Sequence, residues 1–188
     1  MHDEQLLYFQ RLLFSTTMII RPAKNTDIPE IFSLFQDVAS EPGYLARLDS
    51  EIKIDYVEKN ICSALESGAC LVAIDNAIND KNDKIIAVIH GNNPGIKCFQ
   101  HIISNITIAV LPEYQGRGIG KRIFSEFIQD IKKNRPNINR IELYTRESNI
   151  KGINLYKTLG FEVEGKLRNR VNNLDDSLEN DLILGLLF

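Results

Sequence analysis

Three glycines at alternate positions, Gly116, Gly118 and Gly120, sit in the run VLPEYQGRGIG that spans residues 110–120. An apolar extended segment precedes the run and an amphipathic helical one follows it, so a strand leads into a helix through a turn almost free of side chains. The first N–H groups of a helix have no intrahelical partner and carry the positive end of its dipole, so such a turn can wrap a phosphate. Spacing sets two common phosphate loops aside. A P-loop needs G-x-x-x-x-G-K-[ST], whereas Lys121 is followed by Arg122 and position 115 is Gln. The dinucleotide fingerprint G-x-G-x-x-G does not fit glycines at every second residue.

The elements that must position this turn follow from pattern. An extended run from Met18 to Arg21 stops at Pro22. Asp27, Pro29 and Glu30 form a helix start with Asp27 as N-cap and Glu30 in capping-box position, and Ile31, Leu34, Phe35 and Val38 supply an apolar stripe. A second helix is expected over about 51–67, with Val57, Ile61 and Leu65 inward and Gly68 as its cap. Residues 69–75 and 84–90 read as a hairpin around the polar stretch 79–83, and a longer strand over 96–110, bent near Gln100 and His101, leads into the glycine turn. Beyond it come a helix carrying Ile119, Ile123, Phe124, Phe127, Ile128 and Ile131 up to Pro136, a strand over 139–145, a helix over 149–159 closed by Gly160, and a hairpin of 161–171 with 181–188. The order predicts an α/β fold with a mixed sheet.

Residues 1–17 stand before the first strand as an extension, helical over 4–14, and 18–188 are read as one domain. The extension is open to three readings: a packing element, a surface for a homodimer, or a leader. The 188 residues, 44% of them hydrophobic, can bury a substantial core. A formal charge of −3 gives no basic field for nucleic acid. Cys62, Cys70 and Cys98 follow no metal-ligand spacing and are expected as small core residues of a reduced compartment, with no metal site. An acidic start at His2-Asp3-Glu4, apolar residues that Arg11 interrupts before they form a signal-peptide core, and no apolar run near 20 residues predict a cytoplasmic protein without a membrane anchor.

The turn, Gln115-x-x-Gly118-x-Gly120 after a Val110-x-Pro112 strand end, resembles the pyrophosphate-binding turn of the GCN5-related N-acetyltransferases (GNAT), which hold acetyl coenzyme A there. A second segment, Asn149 to Phe161, is similar to that family's N-x-x-A-x-x-L-Y-x-x-x-G-F pattern, with Gly152 where Ala is usual. The element order resembles the family fold from Met18 to Phe188: a mixed, mostly antiparallel sheet splayed at the acetyl-coenzyme-A site and flanked by helices. The hairpin arms 161–168 and 181–186 look like those of a bacterial branch that acetylates small amines or protein N-termini.

The resemblance implies a donor site of Ile108, Ala109, Val110, Gln115, Gly116, Arg117, Gly118, Ile119, Gly120, Lys121, Asn149 and Tyr156. Within it, the Val110 N–H would receive the thioester oxyanion and the Tyr156 phenol would protonate the leaving thiolate. The acceptor would be a primary amine, of a small molecule or a peptide N-terminus. The base is unassigned: the position where relatives place a glutamate is Ser104, no base by itself, and Asn105, Glu113, Glu142, His101 or a relayed water are the alternatives. Asp49 and Glu51 lie where the family lines its acceptor site. A module that senses acetyl coenzyme A without turnover, and an ATP-binding protein, are the competing readings.

Overall fold

The computed structural model describes residues 18–41, 45–76, 84–173 and 175–188. The helix expected over 4–14 and the turn expected over 79–83 lie outside the described residues. Seven strands form one sheet in the order β1-β2-β3-β4-β5-β7-β6. They are β1 (Met18–Pro22), β2 (Ala69–Asp75), β3 (Lys84–Asn92), β4 (Ile102–Val110), β5 (Arg140–Arg146), β6 (Glu162–Asn172) and β7 (Leu178–Leu187). Among the described residues four helices, α1 (Ile28–Ala39), α2 (Ile54–Ser67), α3 (Ile119–Asn134) and α4 (Ile150–Thr158), join it in the mixed α/β architecture that the element order predicts.

Two local expectations are corrected. Asp27 stands at the N-cap of α1 but makes no side-chain cap bond. Its carboxylate accepts from Arg21 Nη1 and Nη2 at 2.7 and 2.9 Å and from the Lys24 N–H at 2.8 Å, which fastens β1 to the start of the helix. The Arg21 hydrogen bonds hold the Asp27 pKa below its ordinary value. Glu30 leaves the capping box and accepts from the Ile85 N–H of β3 at 2.6 Å, because a charge-assisted bond to a part-buried strand end outweighs one at a solvated cap. The single bent strand expected over 96–110 is instead a 3-10 turn at Lys97–Phe99 followed by β4.

The apolar stripes land where periodicity places them. Ile31, Leu34, Phe35 and Val38 of α1 are buried, as are Ile119, Ile123, Phe124, Phe127, Ile128 and Ile131 of α3. Phe124 stands edge-on to Phe127, Tyr156 and Phe161 with centroids 5.5 to 6.0 Å apart. Removing such a ring costs about 3–5 kcal/mol. Among the cysteines, Cys70 is a core residue whose thiol burial pushes up to about 12, Cys62 is half-buried, and Cys98 is exposed in the 3-10 turn, against expectation.

Helices cover the first half of the sheet on both faces. Ile108 and Val110 lie beneath Gly120 of α3, whereas Thr107, adjacent on the strand and so pointing the other way, lies with Phe35 of α1 and Tyr56 of α2. All neighbouring strands are antiparallel except β4 and β5, which run parallel and pair only through Ile102 with Arg140 and Ile103 with Ile141.

The reason for so short a pairing is in β4. His90 faces Thr107 and Asn92 faces Ser104, so Asn105 and Ile106 together oppose Gly91 in a β-bulge. Asn105 adopts φ 52°, a left-handed conformation that Asn tolerates better than most residues. Gly91 leaves little room here: a Cβ would lie 2.3 Å from Ile106 Cδ1, which would have to shift, and 3.1 Å from the Ser104 carbonyl oxygen. A bulge bends its strand. Past it, β4 leaves β5, and the sheet opens.

Candidate active site

The opening is a cleft of about 680 Å³ between β4, the glycine turn and the start of α4. Its wall includes Ile108, Ala109 and Val110 from β4, then Gln115, Gly116, Gly118, Ile119 and Gly120 from the turn, and Asn149 and Tyr156 from α4. Residues far apart in sequence are thus brought to one place. Arg117, Lys121 and Ser104 are not among the lining residues. The Arg117 guanidinium donates to the Glu113 carbonyl at 2.7 Å and lies 5.2 Å from the Tyr114 ring centre, Lys121 is exposed on α3, and Ser104 is buried opposite Asn92.

The polarity of the strand edge follows from ladder phase. The Leu111 N–H donates to the Ile86 carbonyl at 3.0 Å. In an antiparallel ladder, paired residues alternate, so Ala109 spends its backbone bonds on Val88 while the N–H groups of Ile108 and Val110 face the cleft. The Val110 carbonyl accepts from Gln115 Nε2 at 3.0 Å. That bond ties the turn to the strand end and leaves the Val110 N–H as the polar group on that stretch of the edge.

At the turn, Gly116 and Gly118 have φ of 71° and 83°. Gly118 is the N-cap of α3 in the left-handed region, so the N–H groups of the first helical turn point outward into the cleft mouth. Gly120 is different. A Cβ there would rest against Val110, Ile108 and Leu155 at 3.8 to 4.0 Å, ordinary contact distances.

Asn149 caps α4 by accepting from the Gly152 N–H at 3.0 Å and donates through Nδ2 to Thr145 Oγ1 at 3.0 Å. The amide occupies the space that a Cβ at position 152 would take, 2.4 Å from Nδ2, so Gly152 and this Asn149 rotamer belong together. Tyr156 is 8% exposed with its ring edge-on to Phe124 and Phe161. Burial raises its pKa, so the phenol keeps its proton at neutral pH.

Cleft residues that the sequence motifs did not single out include Arg146, Ser148 and Lys151, which flank Asn149. Their signal was available: they surround a helix N-terminus that the motif had already located. The Arg146 side chain donates to Asn173 Oδ1 at 3.0 Å. Among the described residues no carboxylate lines the cleft. Glu113 pairs with Lys84 at 3.0 Å, and its own backbone and that lysine hold its pKa low, while Glu142 is bonded to Arg140 at 3.1 Å and His101 is exposed ahead of β4. Glu51 accepts from the Leu48 N–H at 2.9 Å and Asp49 from the Ser50 N–H, both on the surface. Among the described residues no three His, Cys, Asp or Glu side chains cluster as metal ligands, and no helix is long and apolar enough to cross a membrane.

Comparison with known proteins agrees with this geometry. The chain is 33% identical over 79 residues to the [ribosomal protein bS18]-alanine N-acetyltransferase of Escherichia coli K12, an overlap of 42% of this chain and 51% of that protein. The chain thus spans about half the length of the curated relatives it matches. A GNAT-family acetyltransferase of Streptococcus pneumoniae superposes with a TM-score of 0.78 at 19% identity, covering 91% of this chain and 99% of that one. A GNAT-superfamily phosphinothricin acetyltransferase of Sinorhizobium meliloti, solved in complex with acetyl coenzyme A, gives 0.77 at 16% identity over 92% and 89%. The sequence model described as the Acetyltransferase (GNAT) family matches residues 29–161, and with that match the chain belongs to the GNAT acetyltransferase family.

Proposed function

We propose that the chain transfers the acetyl group of acetyl coenzyme A to a primary amine, of a small molecule or a peptide N-terminus, by direct attack within a ternary complex. The observation that carries this is the bulge-opened edge of β4, with the Val110 N–H turned into a cleft that ends in an anion-binding turn at one side and a protonated phenol at the other. Acetyl coenzyme A supplies an activated thioester and a pyrophosphate. The N–H groups at Gly118–Gly120 and the α3 dipole suit the pyrophosphate. The unpaired edge at Ile108 and Val110 suits an amide-bearing arm, since strand-like pairing satisfies groups that are costly to leave unmet.

In this reading the amine nitrogen bonds to the acyl carbon, the Val110 N–H stabilises the charge that develops on the acyl oxygen, and the C–S bond breaks. Tyr156 gives its proton to the departing thiolate, and the proton lost by nitrogen leaves through water, because no carboxylate among the described residues lines the cleft. Tyr156→Phe is expected to lower kcat on the order of 100-fold with little change in acetyl-coenzyme-A binding. Thiol release across an amine panel, alongside calorimetric binding, measures both, and unchanged turnover would remove Tyr156 from the mechanism.

The missing carboxylate also favours a second reading, a protein that binds acetyl coenzyme A without turning it over. Tight binding with no amine-dependent thiol release is its signature.

A further inference from the structure

Behind β4, on the face away from α3, lies a second cavity of about 90 Å³ lined by Phe35, Leu45, Arg47, Ile52, Tyr56 and Thr107. Its lining sets the apolar Phe35, Leu45 and Ile52 beside Thr107, Arg47 and Tyr56, whose side chains carry polar groups. The Arg47 guanidinium lies 4.2 Å from the centre of the Tyr56 ring, which fixes a positive charge at this site. Thr107 immediately precedes Ile108 of the donor cleft, so the cavity and the acyl site back onto the same stretch of strand from its two faces.

Directly opposite Thr107 on β3 is His90, 2% exposed, with neither ring nitrogen hydrogen-bonded. An unmet buried polar group of this kind is costly and calls for a partner. Paired strand residues project to one face, so the His90 imidazole and the Thr107 hydroxyl are side by side, with Cys70 of β2 on the other flank and Phe35 edge-on at 6.0 Å. Cys70 is an uncharged thiol, and burial alone drives the His90 pKa down to about 4, so the ring is neutral. A neutral imidazole offers one donor and one acceptor.

Resting on the acetyltransferase reading above, we infer that this cavity receives the side chain next to the acceptor amine and selects a small, uncharged, hydroxyl-bearing one, as in an N-terminal serine or threonine. Its volume admits only a few non-hydrogen atoms, at about 30 Å³ per water-sized group. The ligand hydroxyl donates to Thr107 Oγ1, and the Thr107 hydroxyl donates to the acceptor nitrogen of His90, which gives that nitrogen a partner. Arg47 faces the carbonyl beside the amine and repels a cationic side chain.

The test is thiol release from acetyl coenzyme A with tripeptides that differ only in their first residue: Ser, Thr, Ala, Val or Lys. The expected kcat/KM for Ser and Thr exceeds that for Ala and Val by roughly tenfold or more, with Lys lowest, and Thr107→Val and His90→Gln each collapse the Ser-to-Ala ratio to within about threefold. Equal rates for Ser and Ala, or a ratio that survives both substitutions, would overturn the assignment. The ring resonances of His90 in the wild-type chain with coenzyme A give a readout independent of turnover and of variant folding. If no peptide releases thiol, the enzymatic reading fails; a shift caused by the seryl and not the alanyl tripeptide then still supports the subsite, and no such difference overturns it, leaving the imidazole bonded to water only.

Discussion

Gly118 and Gly120 look equivalent in the motif yet do different things. Gly118 holds φ at 83°, where any Cβ is strained, while Gly120 has helical backbone and room for a methyl. Gly118→Ala is therefore expected to destabilise the fold by about 1 kcal/mol and to weaken coenzyme A binding, because the outward N–H groups depend on that dihedral. Gly120→Ala should match or exceed wild-type stability, as Ala favours helix by up to about 1 kcal/mol. Thermal unfolding of the two variants with and without coenzyme A checks the contrast; equal losses would mean that both glycines serve the same purpose. Local motifs of this type were legible in the sequence because their geometry is decided within a few residues. Ser104 and Arg117 show the limit: a residue inside or beside a motif in the sequence is directed by burial, as Ser104 is, or by a hydrogen bond, as Arg117 is to the Glu113 carbonyl, and neither lines the cleft.

Among the elements, β4 decides whether there is a site at all. The sequence announced a strand over 96–110, of which 102–110 forms, but its bulge depends on register against β3, residues outside the motif. The same holds for Glu30, whose partner Ile85 belongs to a strand 55 positions on. Non-local pairing of this kind leaves no periodic trace. Asn105→Ile places a β-branched residue at φ 52°, which costs on the order of 1–3 kcal/mol unless the bulge is lost. The expected outcome is a lower melting temperature and a loss of coenzyme A affinity larger than the loss produced by Asn105→Gly, which keeps the conformation. Isothermal titration of the pair decides it; equal affinities would mean that the bulge does not set the opening.

For the whole molecule, His90 makes stability depend on pH. Its folded pKa, about 4, lies below the ordinary 6.5, so the unfolded chain takes up a proton first. The contribution is complete above pH 6.5 and is lost as pH falls toward 4, on the order of 3 kcal/mol in all. Urea unfolding of the wild type between pH 7 and 4 should show this decline, and His90→Gln should flatten it. An identical slope in the variant would assign the acid sensitivity to other groups. Element order, the α1 and α3 stripes and the α/β class followed from the sequence because they rest on short-range periodicity. The buried imidazole did not, since a single His in an apolar run carries no sign of what faces it.

The seam between β4 and β5 has a consequence for the chain as a thermodynamic system. Two residue pairs are all the strand pairing that joins the four-stranded and three-stranded parts of the sheet among the described residues. Whatever fills the gap becomes part of the ladder, so ligand affinity and conformational stability are one linked quantity. A ligand bound only by the folded state at a hundredfold excess over its dissociation constant adds about 2.7 kcal/mol. Under the proposed function, the melting temperature of this protein is expected to rise with the acyl-donor concentration around it, which would make its own persistence a gauge of supply.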